Sequence, residues 1–218
     1  MKNLILLSLM SFLLCVACGK SPKLSCDPEI NEWAQSQIGL YENASRAEIV
    51  SLPLSKQRAI YAGLSCDKKV ALWKEKIKIL TESGELSQDE LLDINQMMFW
   101  FESIKNQSKE EREEFNQKAE PYLEQITLKH NWDKDKVFYL FFTWMTEDEF
   151  IASMQYENSG VSKKDRLPSD DYVHKKSCNC TSSFWGCPGG MYCSKVTPCT
   201  GTENCGIMGT SDCNGYCS

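Results

Sequence analysis

Histidine is almost missing from this chain, with two residues among 218, and several catalytic motifs do not occur in it. The chain contains no Gly-x-Ser-x-Gly, no His-Glu-x-x-His and no phosphate-binding Gly-rich loop. Its many Asp and Glu residues on predicted helix surfaces are not evidence of a catalytic carboxylate pair. The sequence therefore predicts a protein that is not an enzyme, with no catalytic residue, cofactor or small-molecule substrate.

An excess of positive charge is also missing. Lys and Arg number 24 against 30 Asp and Glu, which gives a net charge of −6. A nucleic-acid binder needs a concentrated basic surface to neutralise phosphates, and the sequence shows no such cluster. We therefore expect no nucleic-acid partner. Hydrophobic residues make up 42% of the chain, which is enough for a core and argues against global disorder.

Only one long apolar run occurs, at residues 4–17, after a short cationic start. It is too short to span a bilayer, which takes about 20 residues, and it is typical of a secretion signal. Val16 and Ala17 ahead of Cys18 resemble a bacterial lipobox, although Cys15 stands where Leu is usual. We expect residues 1–17 to be a lipoprotein signal peptide and Cys18 to be the lipid attachment site. The alternative is an ordinary signal peptide that releases a soluble protein.

A lipid on Cys18 predicts a cell-envelope protein whose partner is the membrane itself, since two or more acyl chains give stable anchoring. Residues 18–26 then form a spacer. The protein is expected to stay lipid-anchored, or to become surface-exposed or secreted after cleavage.

Residues 27–158 carry repeated helix-start signals and almost no strand-like alternation, which predicts an all-α domain. Asp27 before Pro28 is typical of an N-cap followed by proline at the first helical position. Four further pairs have the capping-box spacing of a hydroxyl residue and a glutamate three positions later. These pairs are Ser45 with Glu48, Ser87 with Glu90, Ser108 with Glu111, and Thr146 with Glu149.

Apolar residues recur at helical spacing within this domain. One face carries Val70, Trp73, Ile77 and Leu80, and another carries Leu91, Ile94, Met98 and Phe101. Gly84 is placed to end the first of these helices in a left-handed conformation. Pro121 predicts that the helix over residues 110–128 is kinked or split. Residues 137–145 are apolar all round, which predicts a central buried helix, and His130 is expected to pack or cap rather than bind metal.

Two cysteines of this domain, Cys26 and Cys66, each lie beside a predicted helix start. An oxidising envelope favours a disulfide between them. The alternative is a pair of buried free thiols.

Residues 159–177 are polar, rich in helix breakers and basic near their end, which predicts a linker with a candidate cleavage site at Lys175-Lys176. Residues 178–218 are different, because they hold eight cysteines, many glycines and few large aliphatic residues. So little apolar surface predicts a small, loop-dominated module held by disulfides. Its cysteines are Cys178, Cys180, Cys187, Cys193, Cys199, Cys205, Cys213 and Cys217.

Metal binding is the competing explanation for these cysteines. Zinc sites usually use paired Cys-x2-4-Cys elements, whereas four other cysteines separate the closest pairs here and residues 178–218 lack histidine. Disulfides are therefore expected and no metal site. Sequence does not choose among the 105 pairings that eight cysteines allow.

Residues 178–218, which we call the tail, contain several short motifs around their cysteines. These are Cys178-Asn179-Cys180-Thr181-Ser182, Cys187-Pro188, Tyr192-Cys193, Cys199, Cys205-Gly206 and Cys213-Asn214-Gly215. With these motifs the tail resembles the fulvocin C-related family of bacteriocins. The family has a close Cys-x-Cys before Asn-Gly, whereas in this chain Cys217 follows it. The lipoprotein signal, helical body and cysteine-rich tail together also look like the proteins of this family.

The resemblance implies that the tail is an antibacterial effector acting on a bacterial envelope target. Residues 178–218 carry one Lys against two acidic residues, so attraction to anionic lipid is not the expected mechanism. Large apolar side chains displayed on the disulfide frame are the expected target or membrane contacts. They are Phe184, Trp185, Met191, Tyr192, Ile207, Met208 and Tyr216. The alternative is a non-toxic binding, adhesion or immunity lipoprotein.

Overall fold

The structure, a computed structural model, describes residues 23–25, 27–104, 108–152, 193–194, 202–213 and 216–217. Its first part is a series of helices, as the sequence predicts. These are α1 Pro28–Tyr41, α2 Arg46–Val50, α3 Leu54–Gly63, α4 Cys66–Ser83, α5 Gln88–Glu102, α6 Lys109–His130, α7 Lys134–Phe141 and α8 at residues 147–152. The described part of the body is therefore helical.

The predicted helix starts are confirmed at atomic level. Asp27 accepts hydrogen bonds from the backbone N–H groups of Glu29 and Ile30, at 2.8 and 3.1 Å. Reciprocal capping boxes form at Ser45, Ser87 and Ser108. The fourth forms before α8, where Glu149 accepts from the Thr146 backbone and Thr146 accepts from the Glu149 backbone. Gly84 ends α4 with φ 73°, as predicted.

The two predicted helix faces are confirmed as core. Seven of their eight side chains are buried and Val70 is partly buried. The α5 helix turns its other side outward, since Leu92 and Phe99 are exposed.

The sequence predicts a kink or a split at Pro121, and the structure shows that the helix is not split there. The α6 helix runs unbroken from Lys109 to His130 with Pro121 inside it. Pro121 lies on the exposed side of α6. Water can therefore solvate the carbonyl group that proline leaves without its helical donor. The opposite side of the helix packs Phe115, Ala119, Leu123 and Ile126 into the core, which holds it continuous.

The central helix predicted over residues 137–145 lies earlier in the chain, because α7 begins at Lys134. Helix α7 ends at Phe141, four residues before the end of the apolar run at Met145. The prediction of burial is correct, because Phe141, Trp144 and Met145 are all buried. Carbonyl oxygens at the C-terminal end of α7 accept hydrogen bonds from the Lys76 ammonium group, as described below.

The described residues of the tail form two antiparallel strand pairs. Strand β1, Cys193–Ser194, pairs with β4, Tyr216–Cys217. Strand β2, Thr202–Cys205, pairs with β3, Ser211–Cys213, and a single 3-10 turn, Ile207–Gly209, connects these two strands. Among the tail residues that the structure describes, the β2–β3 hairpin meets the helical body.

Within the described residues, none of the helices combines the length and the apolar character needed to cross a bilayer.

Candidate functional site

Many of the predicted site residues lie outside the described residues. They are Cys18, Cys26, Lys175, Lys176, Cys178, Cys180, Phe184, Trp185, Cys187, Met191, Tyr192 and Cys199. The structure places Cys193, Cys205, Cys213, Tyr216 and Cys217 on the four short strands, but it does not describe their side chains. The disulfide pairing of the tail therefore stays a prediction.

The Cys66 thiol is free in the structure, which agrees with the alternative of free thiols, whereas Cys26, its predicted disulfide partner, lies outside the described residues. Cys66 is the first residue of α4 and follows the N-cap Ser65. Its side chain is partly buried, and this burial raises the pKa of the thiol, so Cys66 stays protonated near neutral pH.

The prediction that Ile207 and Met208 form an external contact surface is also wrong. Each side chain is only 1% exposed, and both belong to the same apolar cluster as the helices of the body. The tip of a hairpin is usually polar and solvated. Here its two large apolar side chains are inserted into another part of the protein. We call residues 206–211 the anchoring turn.

Left-handed backbone conformations shape the anchoring turn. Gly206 and Gly209 both have φ 73°, and Met208 has φ 53°. A positive φ costs about 1–2 kcal/mol in a residue with a side chain, so packing around Met208 must offset it. The turn is closed by its own backbone, since the N–H groups of Gly209 and Thr210 donate to the carbonyls of Gly206 and Ile207, each at 3.2 Å.

Tyr61 on α3 is the main contact of the anchoring turn. Its hydroxyl donates a hydrogen bond of 2.8 Å to the Met208 carbonyl oxygen and accepts one of 2.9 Å from Trp73 Nε1. The Tyr61 ring stacks on Trp144, with centroids 4.4 Å apart. Burial raises the pKa of Tyr61 far above its usual range, so the hydroxyl keeps the proton that it donates.

A second polar contact comes from α6. The Thr210 hydroxyl lies 2.8 Å from Asn116 Oδ1 and 2.8 Å from the Ile207 carbonyl oxygen, both of which are acceptors. Asn116 Nδ2 donates to the Ser211 hydroxyl at 3.3 Å. We call Tyr61, Trp73, Asn116 and Trp144 together the anchor site. Its residues belong to three helices and to the segment after α7. They supply hydrogen-bond partners to polar groups of the turn that would otherwise be buried without one.

The fit between turn and anchor site is close. A Cβ added to Gly209 would lie 2.6 Å from Tyr61 Cε1. Burial of Ile207 and Met208 contributes about 1.5–3 kcal/mol for each side chain. The gross contribution of about 3–6 kcal/mol exceeds the conformational cost at Met208.

Two buried cations hold the segment that carries Trp144. The Lys76 ammonium group donates to the carbonyl oxygens of Tyr139, Leu140 and Thr143, the last two at 3.2 and 2.6 Å. Arg46 donates from Nε to the Trp144 carbonyl oxygen at 2.9 Å, and its guanidinium group pairs with Glu149.

Burial, with the nearby Arg46 charge, lowers the pKa of Lys76 well below its usual range. No pattern in the sequence predicts this arrangement, since Lys and Arg in charged helices are normally solvated.

Among the buried side chains that the structure describes, one atom of the anchor site, Trp144 Nε1, and one atom outside it, Gln57 Oε1, have no hydrogen-bond partner. Each such atom costs about 1–3 kcal/mol. Hydrogen bonding of buried side chains is therefore less complete around Trp144 than in the rest of the described core.

A separate charged cluster joins α5 to the end of α6. Asp93 accepts hydrogen bonds of 2.7 Å from Tyr122, Lys129 and His130, and His130 stacks on Trp132 at 4.8 Å. Burial alone would raise the pKa of Asp93, but these three donors lower it to about 2. Both carboxylate oxygens are occupied, so the cluster serves packing, as the sequence predicts for His130.

No group of three or more His, Cys, Asp or Glu residues within the described ranges could hold a metal ion. Comparison of the chain with models of protein families, with curated protein sequences and with solved structures finds no match. The resemblance to the fulvocin C-related family therefore stays a prediction from the sequence. The contact between the tail and the helical body is the candidate functional feature that the structure adds.

Proposed function

We propose that this chain is a lipid-anchored bacteriocin-like protein of the cell envelope. In this proposal residues 1–17 direct export, Cys18 carries the lipid, and the helical body carries the cysteine-rich residues 178–218. The tail acts on a bacterial envelope target. Support for export and anchoring comes from the cationic start, the apolar run and the lipobox-like residues before Cys18.

The cysteine pattern of the tail carries the antibacterial part of the proposal. Eight cysteines in 41 residues, with the local motifs given above, resemble the fulvocin C-related family. A frame of disulfides is also the physical solution for a segment with so little apolar surface of its own. The inserted hairpin tip adds a second source of stability, namely the core of the helical body.

The contact residues of the proposed effector are fewer than the sequence predicts. Ile207 and Met208 are used to hold the tail on the body, so they are not exposed to a target in this state. The remaining candidates are Phe184, Trp185, Met191, Tyr192 and Tyr216. Aromatic side chains of this kind bind well at a bilayer interface or in a receptor pocket because they lose little entropy on docking.

Growth inhibition by the purified protein tests this function. The mature protein, exported and oxidised in a bacterial host, is added to a panel of related and unrelated strains. We expect growth of some strains to stop, and we expect the same protein with reduced and alkylated cysteines to be inactive. Normal growth of every strain with the oxidised protein would contradict the effector role.

Lipid attachment has its own test. Metabolic labelling with a fatty acid that carries an alkyne group should mark the wild-type protein and leave Cys18→Ser unmarked. Equal labelling of both proteins, or no labelling of either, would contradict anchoring through Cys18.

The inserted hairpin tip favours one alternative function. A tail that shares the core of the body is the arrangement expected of a binding or adhesion module that stays attached. This alternative would be favoured if the protein binds tightly to envelope fractions and inhibits the growth of no strain.

A further inference from the structure

The anchoring turn has the features of a ligand bound by the helical body. The turn is distant in sequence from the body residues that it contacts, since Tyr61 and Met208 are 147 positions apart and Asn116 and Ser211 are 95 positions apart. It closes on itself through the backbone bonds of Gly209 and Thr210. Its contacts with the body are therefore made by side chains and one carbonyl group, as in the binding of a preformed loop.

The helical body is preorganised for its contact with the anchoring turn. Tyr61 is fixed from one side by Trp73 Nε1 and from the other by the Trp144 ring, neither of which belongs to the tail. Trp144 in turn is held by Arg46, which is buried and paired with Glu149. Preorganisation of this kind reduces the ordering cost of binding.

We propose that the helical body is a binding domain for its own anchoring turn. The anchor site retains residues 178–218 through non-covalent contacts after the chain is cut between body and tail. The occupant is the Gly206-Ile207-Met208-Gly209-Thr210-Ser211 segment of the same chain. The proposal follows from the contacts described above and does not require the tail to be antibacterial.

A consequence concerns any release of the tail. If the anchor site holds the tail, cleavage at Lys175-Lys176 alone does not free it. A second event that opens the contact around Tyr61 is then required, so the body also controls when Ile207 and Met208 become exposed.

Cleavage of the whole protein at one engineered position tests the proposal. A recognition sequence for a site-specific protease is inserted after Ser177 in the full mature chain, and the protein is cut to completion. We expect the two fragments to elute together on size exclusion in native buffer. They should separate in urea without a reducing agent, because the contacts of the anchor site are non-covalent.

Two results would overturn the proposal. One is separation of the fragments in native buffer at micromolar concentration. The other is their persistence as one species in urea without reductant, because a disulfide would then hold the tail and the anchor site would not be needed.

Matched glycine variants of the cut protein identify the contact. Gly209→Ala places a Cβ against Tyr61, whereas Gly84→Ala introduces the same left-handed strain, at the same φ of 73°, with no atom within 4 Å. We expect tail dissociation to become about tenfold faster or more in Gly209→Ala, since overpacking mainly raises the dissociation rate. Gly84→Ala should keep the wild-type rate. Equal rates in the two variants would locate the contact elsewhere.

A milder variant keeps the test decisive if Gly209→Ala does not fold. Asn116→Ala removes the hydrogen bonds to Thr210 and Ser211 while leaving the partly buried surface of α6 intact. It should release the tail faster than wild type with unchanged helical circular dichroism. A soluble peptide of residues 202–213 should compete with the cut tail for the anchor site. Wild-type release in Asn116→Ala together with no competition by the peptide would contradict the proposal.

Discussion

Truncation of Met208 should destabilise the helical body, although Met208 lies in the tail. The side chain is 1% exposed and belongs to the main apolar cluster. Met208→Ala removes its buried methylene, sulfur and methyl groups and leaves a cavity beside the anchor site. Truncation of buried Met or Leu to Ala usually costs about 2–5 kcal/mol.

The positive φ of Met208 does not offset this loss. Alanine also carries a Cβ, so the conformational cost at φ 53° remains in the variant. The Tyr61 hydrogen bond is made to the backbone carbonyl group of Met208, and alanine keeps this acceptor. We expect a net loss of about 2–4 kcal/mol in the free energy of unfolding.

Urea unfolding followed by circular dichroism at 222 nm measures the effect, because this signal reports the helices of the body. With a slope of about 2 kcal/mol per molar urea, the midpoint should fall by about 1–2 M. Met98→Ala, in a buried position within α5, is the positive control, and Leu40→Ala, at a position 66% exposed, is the negative control. A Met208→Ala midpoint equal to that of Leu40→Ala would refute the insertion of the tail into the core.

Three further variants test other parts of the structure. Lys76→Met should lower the free energy of unfolding by about 2–4 kcal/mol, because each buried carbonyl group left unpaired costs about 1–3 kcal/mol. A variant as stable as wild type or more stable in urea unfolding would contradict this, because removal of the buried charge would then outweigh the lost hydrogen bonds. Pro121→Ala should raise the melting temperature, because it restores a helical N–H group in an exposed position of the unbroken α6; a lower value would contradict this. Asp93 has its pKa lowered from 3.8 to about 2, so its stabilising contribution is present above pH 4 and lost as pH falls towards 2. The free energy of unfolding, measured by urea titration, should therefore fall less in Asp93→Asn than in wild type between pH 4 and pH 2. An equal fall in both proteins would show that the Asp93 carboxylate does not cause the loss of stability.

Local signals in the sequence were sufficient for the helices. The hydroxyl–glutamate spacing at Ser45, Ser87, Ser108 and Thr146 predicts helix starts because a capping box needs only four consecutive residues. The apolar faces of α4 and α5 follow in the same way from helical periodicity. The sequence does not decide between a split and a continuous helix at Pro121, since the outcome depends on whether the freed carbonyl group faces water, which is a property of the tertiary structure.

The candidate site could not be found in this way. Ile207 and Met208 lie in a short glycine-rich segment without periodicity, and Tyr61 is 147 positions from the carbonyl that it binds. One tyrosine in a helix carries no signal for such a partner. Lys76 was also missed, because a lysine in a charged helix is usually solvated, and its three carbonyl partners belong to a helix end that the apolar run did not reveal.

Amide hydrogen exchange at Gly209 and Thr210 is the most direct test of the anchoring of the tail. Both N–H groups donate within the anchoring turn, and Thr210 is buried against the body. We predict that they exchange as slowly as buried amides of α5 such as Ile94, because opening them requires the anchor site to open. Exchange at the rate of an unstructured peptide, with α5 still protected, would contradict the account.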